Sequence, residues 1–465
     1  MDDNARMHEG LTVRLAALTL RVARGDIPGT AVEAARRLVQ HAFGVAVAGS
    51  GLPVSLIARA ALDDATGACL IFGSTRGHSA QNAAFANGVI GHASLLEDAG
   101  PGGMRAGSHP GTYIFPAALA VAQQSGASGM ALIRAVCAAY EVVDRLGALM
   151  PGTVAQRGFR AVPVLGPFGA VAAAGVLWGL SAAPLAAAYG IAANLAGGLN
   201  QGFIDGTMEV YLQPGFAARN GLLAARLAQA GCAASPVSLE GERGFFATFA
   251  GQIPEAASFD APASELSVCR VGTKDFATCL YNQGTLALVT RSFPHGLAAA
   301  DIEHVILARP ASGLHGTHAP GVAAVPPHRN ALQSQMSARF TTAAALLGRP
   351  VDSALWFAQA PDDRQVAALA EKISLVTHDA PGIRIEVLLR DGRRELAETG
   401  GETALVFSSE QTAAAFTARV RPVLGQRSDE AAALMADLPR LQTLVRLTSL
   451  FNQNGNDGLP TPSGN

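Results

Sequence analysis

The stretch GHASLLEDAGPGGMRAGSHPGTY, residues 91–113, gathers two histidines, the adjacent carboxylates Glu97 and Asp98, an arginine and several glycines in a chain otherwise crowded with alanine, leucine and valine. Such a set can bind and move protons. His109 is followed by Pro110, whose fixed φ suits a first helical turn, so the imidazole is expected at a helix N-terminus. Free N–H groups and the helix dipole there favour anions and the neutral imidazole, which makes His109 a candidate general base near neutral pH. An isolated histidine is ordinarily a capping or packing residue, and it is the company of His109 that argues for chemistry. Glu97 and Asp98, read as helical, diverge by roughly 100° and cannot both face one pocket. One is then catalytic and the other structural or solvated; Asp98, if protonated, is the candidate acid for a leaving hydroxyl.

Two further clusters carry charge near apolar segments. In QRGFRAVPVLGPFG, Arg157 and Arg160 stand three apart just before a charge-free run. Arginines at the edge of an apolar core hold carboxylates in bidentate fashion, whereas on a surface they merely snorkel. Lys274, in VGTKDFATCLYNQGT, falls at an expected domain boundary, where it can bind a carboxylate or, partly desolvated, take a proton. Other signatures are missing. Gly49-Ser50-Gly51 lacks a third glycine and a strand–helix context, and neither a Gly-Lys-Ser/Thr loop nor a Gly-x-Ser-x-Gly elbow occurs. No cofactor is therefore expected. His315 and His318, with His328 ten residues on, lack a nearby carboxylate or cysteine, so this stretch reads as a Pro/Gly loop and no metal is expected.

The elements that must position these groups follow from composition and periodicity. A chain of 465 residues accommodates two or three domains. With 34 basic against 36 acidic residues, no global field draws it to nucleic acid or an anionic membrane. Five cysteines without a Cys-x-x-Cys pattern argue against a disulfide framework and for a reducing, cytoplasmic setting. The opening MDDNARMHEGLTVRLAALTLRVARGD mixes charge with apolar residues and reads as a first helix, not a secretory signal. The charge-free run 161–204 is broken by prolines, glycines and asparagines, which predicts buried core helices and no membrane span.

From about Leu11 to Ala250 the spacing is helical. In SGMALIRAVCAAYEVVDRLG, Leu132, Ile133, Val136, Tyr140, Val143 and Leu146 trace one face, with Ser128 as N-cap and Gly147 as a stop. After about Ser264, IEHVILARP and ISLVTHD alternate like strands, and RIEVLLRDGRRELAE reads as a hairpin around Asp391-Gly392. QSQMSARFTTAAALLG, PDDRQVAALAEKI, SSEQTAAAFTARVRPVLG and DEAAALMADLPRLQTLVRLTSLF read as helices. The expected organisation is a helical domain over 1–265, a smaller α+β lid over 266–405, helices over 406–450 returning to the first domain, and a disordered tail over 451–465.

The ordered series AAFANGVIGHASLLEDAG, SHPGTYIFPAALAVAQQSGASG, AAYEVVDRLG, RGFRAVPVLGPFGAVAAAGVLWGLS, FAARNGLLAARLAQAG, LEGERGFFATFAG, KDFATCLYNQ and SARFTTAAALLG resembles the MmgE/PrpD family across nearly the whole chain. That family includes 2-methylcitrate dehydratase, cis-aconitate decarboxylase and iminodisuccinate epimerase. The resemblance implies a mainly α fold, with a large all-α helical domain built from both chain ends and a smaller α+β lid domain. It also implies a homodimer and an active site between the domains.

His109 matches the family's histidine in His-Pro-Ser/Gly, and Lys274 the lysine that opens Lys-x-Phe/Tyr-Pro. Other positions depart. Leu95-Leu96-Glu97-Asp98-Ala99 replaces Asp-Phe-Asp-Asp-Thr, Arg160 replaces the histidine of Arg-Gly-Phe-His, Val210 stands where decarboxylase-like members carry lysine, and Cys279 replaces a histidine. These changes remove proton carriers and keep cations, so the pocket still suits carboxylates. The expected catalytic set is His109, Lys274 and Asp98; the expected substrate-binding set is Arg160, Arg157, Glu97, Gln213 and Cys279. The activity implied is a cofactor-independent lyase, of dehydratase or decarboxylase type, that removes a proton α to a carboxylate of a small di- or tricarboxylate. Its alternatives are an epimerase or isomerase with His109 and Lys274 on opposite faces of one carbon, a biosynthetic enzyme with a larger substrate, and a non-catalytic binding protein on the same fold.

Overall fold

Alanine- and leucine-rich segments punctuated by serine caps and glycine stops fold as helices wherever one face can be buried. The computed structural model describes residues 10–62, 67–100, 109–150, 152–260, 264–313, 316–317, 321–400 and 409–452. The longer helices of the first part are α1 (Leu11–Arg24), α2 (Gly29–Gly49), α3 (Pro53–Ala60), α4 (Ala80–Ala93), α5 (Gly111–Ser125), α6 (Gly129–Ala148), α7 (Ala161–Leu177), α8 (Ala182–Asn194) and α9 (Glu209–Gln229). In α6 the Ser128 hydroxyl accepts the Ala131 N–H at 3.2 Å, and the expected face from Leu132 to Leu146 is buried. The helix runs one residue past Gly147.

Of the charge-free run, α7 is the buried helix that was expected, whereas α8 buries one face only and Leu199 and Ile204 at the end of the run are exposed. Pro167 lies inside α7 and has no N–H, which would strand the Pro163 carbonyl four residues earlier. Gly197 N–H, arriving from the segment after α8, donates to that carbonyl at 3.2 Å. Among the described residues no single helix is long and apolar enough to cross a membrane, and α2 with α3, which are so only when taken together, bend by 89°. Helix α9 crosses two neighbours on glycines. A Cβ on Gly88 of α4 would lie 2.7 Å from Gly215 Cα, and one on Gly221 2.4 Å from the Ala170 methyl of α7. These close approaches draw the C-terminal turn of α4 and the start of α7 together.

The alternating segments after residue 300 form a four-stranded sheet of β3 (Ile302–Pro310), β4 (Ile373–His378), β5 (Arg384–Leu389) and β6 (Arg394–Glu398), in the order β4-β3-β5-β6. Strand β3 runs parallel to β4, with Val305 opposite Ile373, and antiparallel to β5, with Val305 opposite Val387. The β5–β6 hairpin turns at Asp391-Gly392, where φ of +86° favours glycine. Helices α10 (Gln283–Ser292), α11 (Ala331–Met336), α12 (Ala338–Leu346), α13 (Ala354–Gln359) and α14 (Arg364–Glu371) accompany this sheet. Its apolar core continues into the helical part through Leu95, Leu96, Val210 and Tyr211. A separate ribbon, β1 (Asp98–Ala99) with β2 (Gly272–Thr273), joins the two parts.

Several expected helices are shorter than their sequence pattern. Ser337 ends α11 and then caps α12, accepting from Phe340 N–H, so the single run expected there is two helices. The chain returns through α15 (Ser409–Leu424), α16 (Arg427–Ala436) and α17 (Val445–Asn452), with a one-turn 3-10 helix at Leu438–Arg440, around Pro439, between the last two. Phe451 packs its ring 5.3 Å from Phe43 of α2, so the C-terminal helices enter the first core. Helix α17 extends two residues into the segment expected as a tail, because Phe451 is buried; residues 453–465 lie outside the described residues. His315 and His318 also lie outside them, whereas His328 packs against Phe340 at 5.4 Å. All five cysteines are unpaired.

Gly88→Ala is expected to destabilise the fold by about 1–3 kcal/mol through overpacking at the α4–α9 crossing. Gly91→Ala in the same helix, whose added Cβ meets nothing within 4 Å, is expected to be neutral or slightly stabilising. Urea midpoints of the two variants check the contrast.

Candidate active site

The β1–β2 register pairs Asp98 with Thr273 and Ala99 with Gly272, and one step further it sets Glu97 opposite Lys274. Lys274 Nζ donates to Glu97 Oε1, and both side chains are only 2% exposed. Leu95 adopts a left-handed backbone, φ +54°, and its carbonyl accepts a second bond from Nζ at 3.2 Å. Burial alone would raise the Glu97 carboxyl, but the Lys274 ammonium, helped by His92 and His109, holds it well below the usual carboxylate range.

His109 stands where its proline predicts, immediately before α5. Its Nδ1 lies 2.8 Å from the Asp98 carbonyl, which only accepts, so Nδ1 carries the proton and Nε2 keeps its lone pair. Nδ1 is also 3.5 Å from Glu97 Oε1. The neutral form expected there is favoured, but burial is the main cause: it lowers the pKa to about 3, against the pull of Glu97.

His92, in the last turn of α4, completes the cluster and was not singled out by sequence. Its Nε2 accepts from Arg160 Nη2 at 2.6 Å, leaving Nδ1–H facing Glu97 Oε2 at 3.4 Å without closing a hydrogen bond. Burial, opposed by Glu97, lowers its pKa to about 4. The two imidazole rings are 5.7 Å apart. The signal was present, since His92 shares the polar stretch with His109 and falls near the end of the helical pattern.

Arg160 is the N-cap residue of α7 and is buried. Besides His92, it donates from Nη1 to the Val210 carbonyl at 2.8 Å and to Gln213 Oε1 at 3.0 Å, and it sits 4.7 Å from the Phe203 ring centroid. Burial lowers its pKa to about 10, which leaves it charged near neutrality. Gln213 is anchored in turn on the Leu199 carbonyl at 2.8 Å. Val210, which the likeness sets against a lysine of decarboxylase-like members, contributes its backbone oxygen to the arginine. Arg157 does not join them. It is exposed and donates to the Thr248 carbonyl, because Gly158 at φ +83° breaks the helical turn that the three-residue spacing assumed. Cys279 is buried in the core of the smaller α+β part, where burial raises its thiol pKa, and its backbone N–H donates to the Gln335 carbonyl at 3.1 Å.

Glu97 and Asp98 do point apart, although on an extended ribbon rather than a helix, since successive side chains there alternate. Asp98 turns toward α5 and accepts from Gly111 N–H at 2.8 Å and from Tyr140 Oη–H at 2.6 Å. Burial raises its pKa to about 6 against those two donors. Glu97, Asp98, Tyr140, His41 and Asn87 border a cavity of about 20 Å³, which is room for a water. Tyr140, read only as a core residue, and His41, whose ring bonds the Leu96 carbonyl at 2.9 Å, were missed because their polar tips surface only through tertiary packing. Tyr211 bridges α9 to the lid through Gln335 at 3.2 Å. Among the described residues no three His, Cys, Asp or Glu side chains stand together as a metal site.

Comparison with known proteins adds a match of residues 13–256 to the model of the MmgE/PrpD N-terminal domain. Curated relatives include the cis-aconitate decarboxylase-like protein oryM of Aspergillus oryzae, 32% identical over 234 residues that cover 48% of this chain and 47% of the relative. A second is cis-aconitate decarboxylase of Aspergillus terreus, 29% identical over 253 residues that cover 53% and 50%. The chain thus matches about half the length of these relatives. The family match spans His92, Glu97, His109, Arg160 and Gln213 and ends before Lys274.

The cluster makes stability pH-dependent in a definite direction. His41 and His109, lowered to about 3, and His92, lowered to about 4, all bind protons more readily in the unfolded chain, so their contribution is intact above about pH 6.5 and is lost as pH falls. Asp98, raised to about 6, acts oppositely between about pH 6 and 4. With three groups against one, the urea midpoint is expected to fall between pH 7 and 4.5, and a flat or rising midpoint would contradict the assignment. Glu97→Gln leaves Lys274 buried without its counter-charge and is expected to cost about 3–5 kcal/mol in the same assay.

Proposed function

Because the chain belongs to the MmgE/PrpD family, we propose that it is a cofactor-independent lyase acting on a small di- or tricarboxylate. The observation that supports this best is the convergence of His109, Lys274 and Arg160, from three distant segments, on one buried cluster joined by Glu97 and His92. His109 takes or returns the proton α to a carboxylate at Nε2, its tautomer set by the Asp98 carbonyl. Lys274 and Arg160 hold the substrate's carboxylates and balance the enolate-like charge that develops beside them. Glu97 and His92 act by positioning these two cations.

In a decarboxylation the C–C bond to the departing carboxylate breaks and releases CO2, the electron pair passes into the remaining acid, and the carbon takes a proton drawn from water and relayed through His109 Nε2, which carries none at rest. In a dehydration His109 removes the α proton while Asp98, in the protonated form that its burial favours, gives its proton to the leaving hydroxyl and is left as the carboxylate that Tyr140 and Gly111 N–H stabilise. The names of the curated relatives support decarboxylation, with cis-aconitate as the first substrate to test. Both cations are engaged with internal acceptors and the adjoining cavity is water-sized, so a bound carboxylate must take over from Glu97 or from the Arg160 acceptors as the helical part (1–265 with 406–450) and the lid (266–405) separate. A homodimer in the cytoplasm completes this reading.

The test is incubation with cis-aconitate and related tricarboxylates in D2O. Turnover, or deuterium appearing at the carbon α to a carboxylate, is expected, with His109→Asn and Lys274→Met lowering the rate by roughly 10²–10⁴-fold in folded protein. Tight binding without turnover or exchange for any of these acids would leave a binding protein on an inherited fold.

A further inference from the structure

Side chains alternate across the β1–β2 ribbon and its flanking residues. Glu97 and Lys274 point into the catalytic cluster, whereas their chain neighbours Leu96 and Asp275 line a groove of about 1390 Å³ on the other side. The groove is built from α2 and α3, the turn after residue 72, the lid segments around 275 and 352, and α15. Its volume is that of a site for a substantial organic molecule.

The groove carries a charge pattern. Four arginines, Arg59, Arg76, Arg349 and Arg419, face two aspartates, Asp275 and Asp352. Arg349 is committed to Asp363 at 2.8 Å. Arg419 is not committed in this way: among the described residues it makes one long hydrogen bond, to His41 Nδ1 at 3.4 Å, and no ion pair within 4 Å, although Asp275 and Asp352 both act on its charge. Arg59 spends Nη1 on the Ser50 and Phe72 carbonyls. His78, 9% exposed at the groove wall, bonds Ser74 through Nε2 and has a buried Nδ1 with no hydrogen-bond partner. A cation with one weak contact describes a polar end that a ligand would satisfy. The rest of the wall is apolar, with Leu56, Leu355 and Val423 at 39%, 60% and 39% exposure.

We propose that this groove is a second ligand site, separate from the catalytic cluster, for an organic anion whose carboxylate or phosphate head pairs with Arg419 and whose apolar body lies along Leu56, Leu355 and Val423. Bidentate pairing to guanidinium selects the head, and the exposed aliphatic wall selects the body. The floor of this site is tied to the ribbon, since His41 accepts from Arg419 and donates to the Leu96 carbonyl.

Calorimetry and thermal unfolding of the full chain with octanoate, octyl phosphate, inorganic phosphate and 1-octanol test the assignment. Octanoate or octyl phosphate is expected to bind at one site per chain and raise the melting temperature, and the stronger of the two identifies the head group. Inorganic phosphate is expected to bind at least tenfold more weakly. Arg419→Gln is expected to weaken binding at least tenfold. Ala418→Trp, which fills the groove from an exposed position on α15 without touching the arginine's contacts, keeps the test open if the first variant does not fold. His109→Asn is expected to bind as the parent does. Equal binding of 1-octanol, binding that survives both groove substitutions, binding lost in His109→Asn, or no binding of either amphipathic anion would overturn the proposal.

Discussion

The ion pair between Lys274 and Glu97 is the constraint around which the site is arranged. Two charges at 2% exposure are tolerable only because each answers the other and because the Leu95 carbonyl takes a second ammonium proton. The pair also decides protonation nearby. A charged Glu97 faces His92 Nδ1–H while the Asp98 carbonyl holds His109 Nδ1–H, which leaves one imidazole to receive Arg160 and the other with a lone pair to offer. Replacing the ribbon by a loop would lose more than two short strands, because the register is what brings the carboxylate and the ammonium face to face.

The arginine at 160 changes the character of this centre. A histidine there would be one more proton carrier, whereas guanidinium stays charged and donates along fixed directions. It clasps the Val210 carbonyl, Gln213 and His92, and so ties the end of α4 to the start of α7 and the first turns of α9. The glycine crossings belong to the same packing: at Gly88 and Gly221 the helix α9 approaches α4 and α7 closely enough that a Cβ would clash.

Much of the architecture was legible in the sequence because it rests on local pattern. The α6 face and cap, the strands at 302–310 and 373–378, and the hairpin at Asp391-Gly392 follow from spacing and turn chemistry alone. What misled was backbone geometry of only a few residues. Glu97 and Asp98 lie in extended chain because Gly272 and Thr273, some 170 positions away, supply a partner strand that no local window contains. Arg157 was drawn toward Arg160 by a helical spacing that Gly158 interrupts. His92 was in view but carried no distinguishing neighbour until Arg160 arrived by folding. Local pattern and family likeness both pointed to His109 and Lys274, yet neither could reveal that the replacement at 160 would be answered by a histidine on another helix.

The brevity of the ribbon has a consequence of its own. Strands of two residues contribute little backbone bonding, so the join between the helical part and the lid near the site leans on the charges that flank it. On the proposed reading, an acid that captures Lys274 takes it from Glu97 and slackens that seam at the same moment. Occupancy and domain opening would then be a single equilibrium, poised by the relative basicity of an internal and an incoming carboxylate.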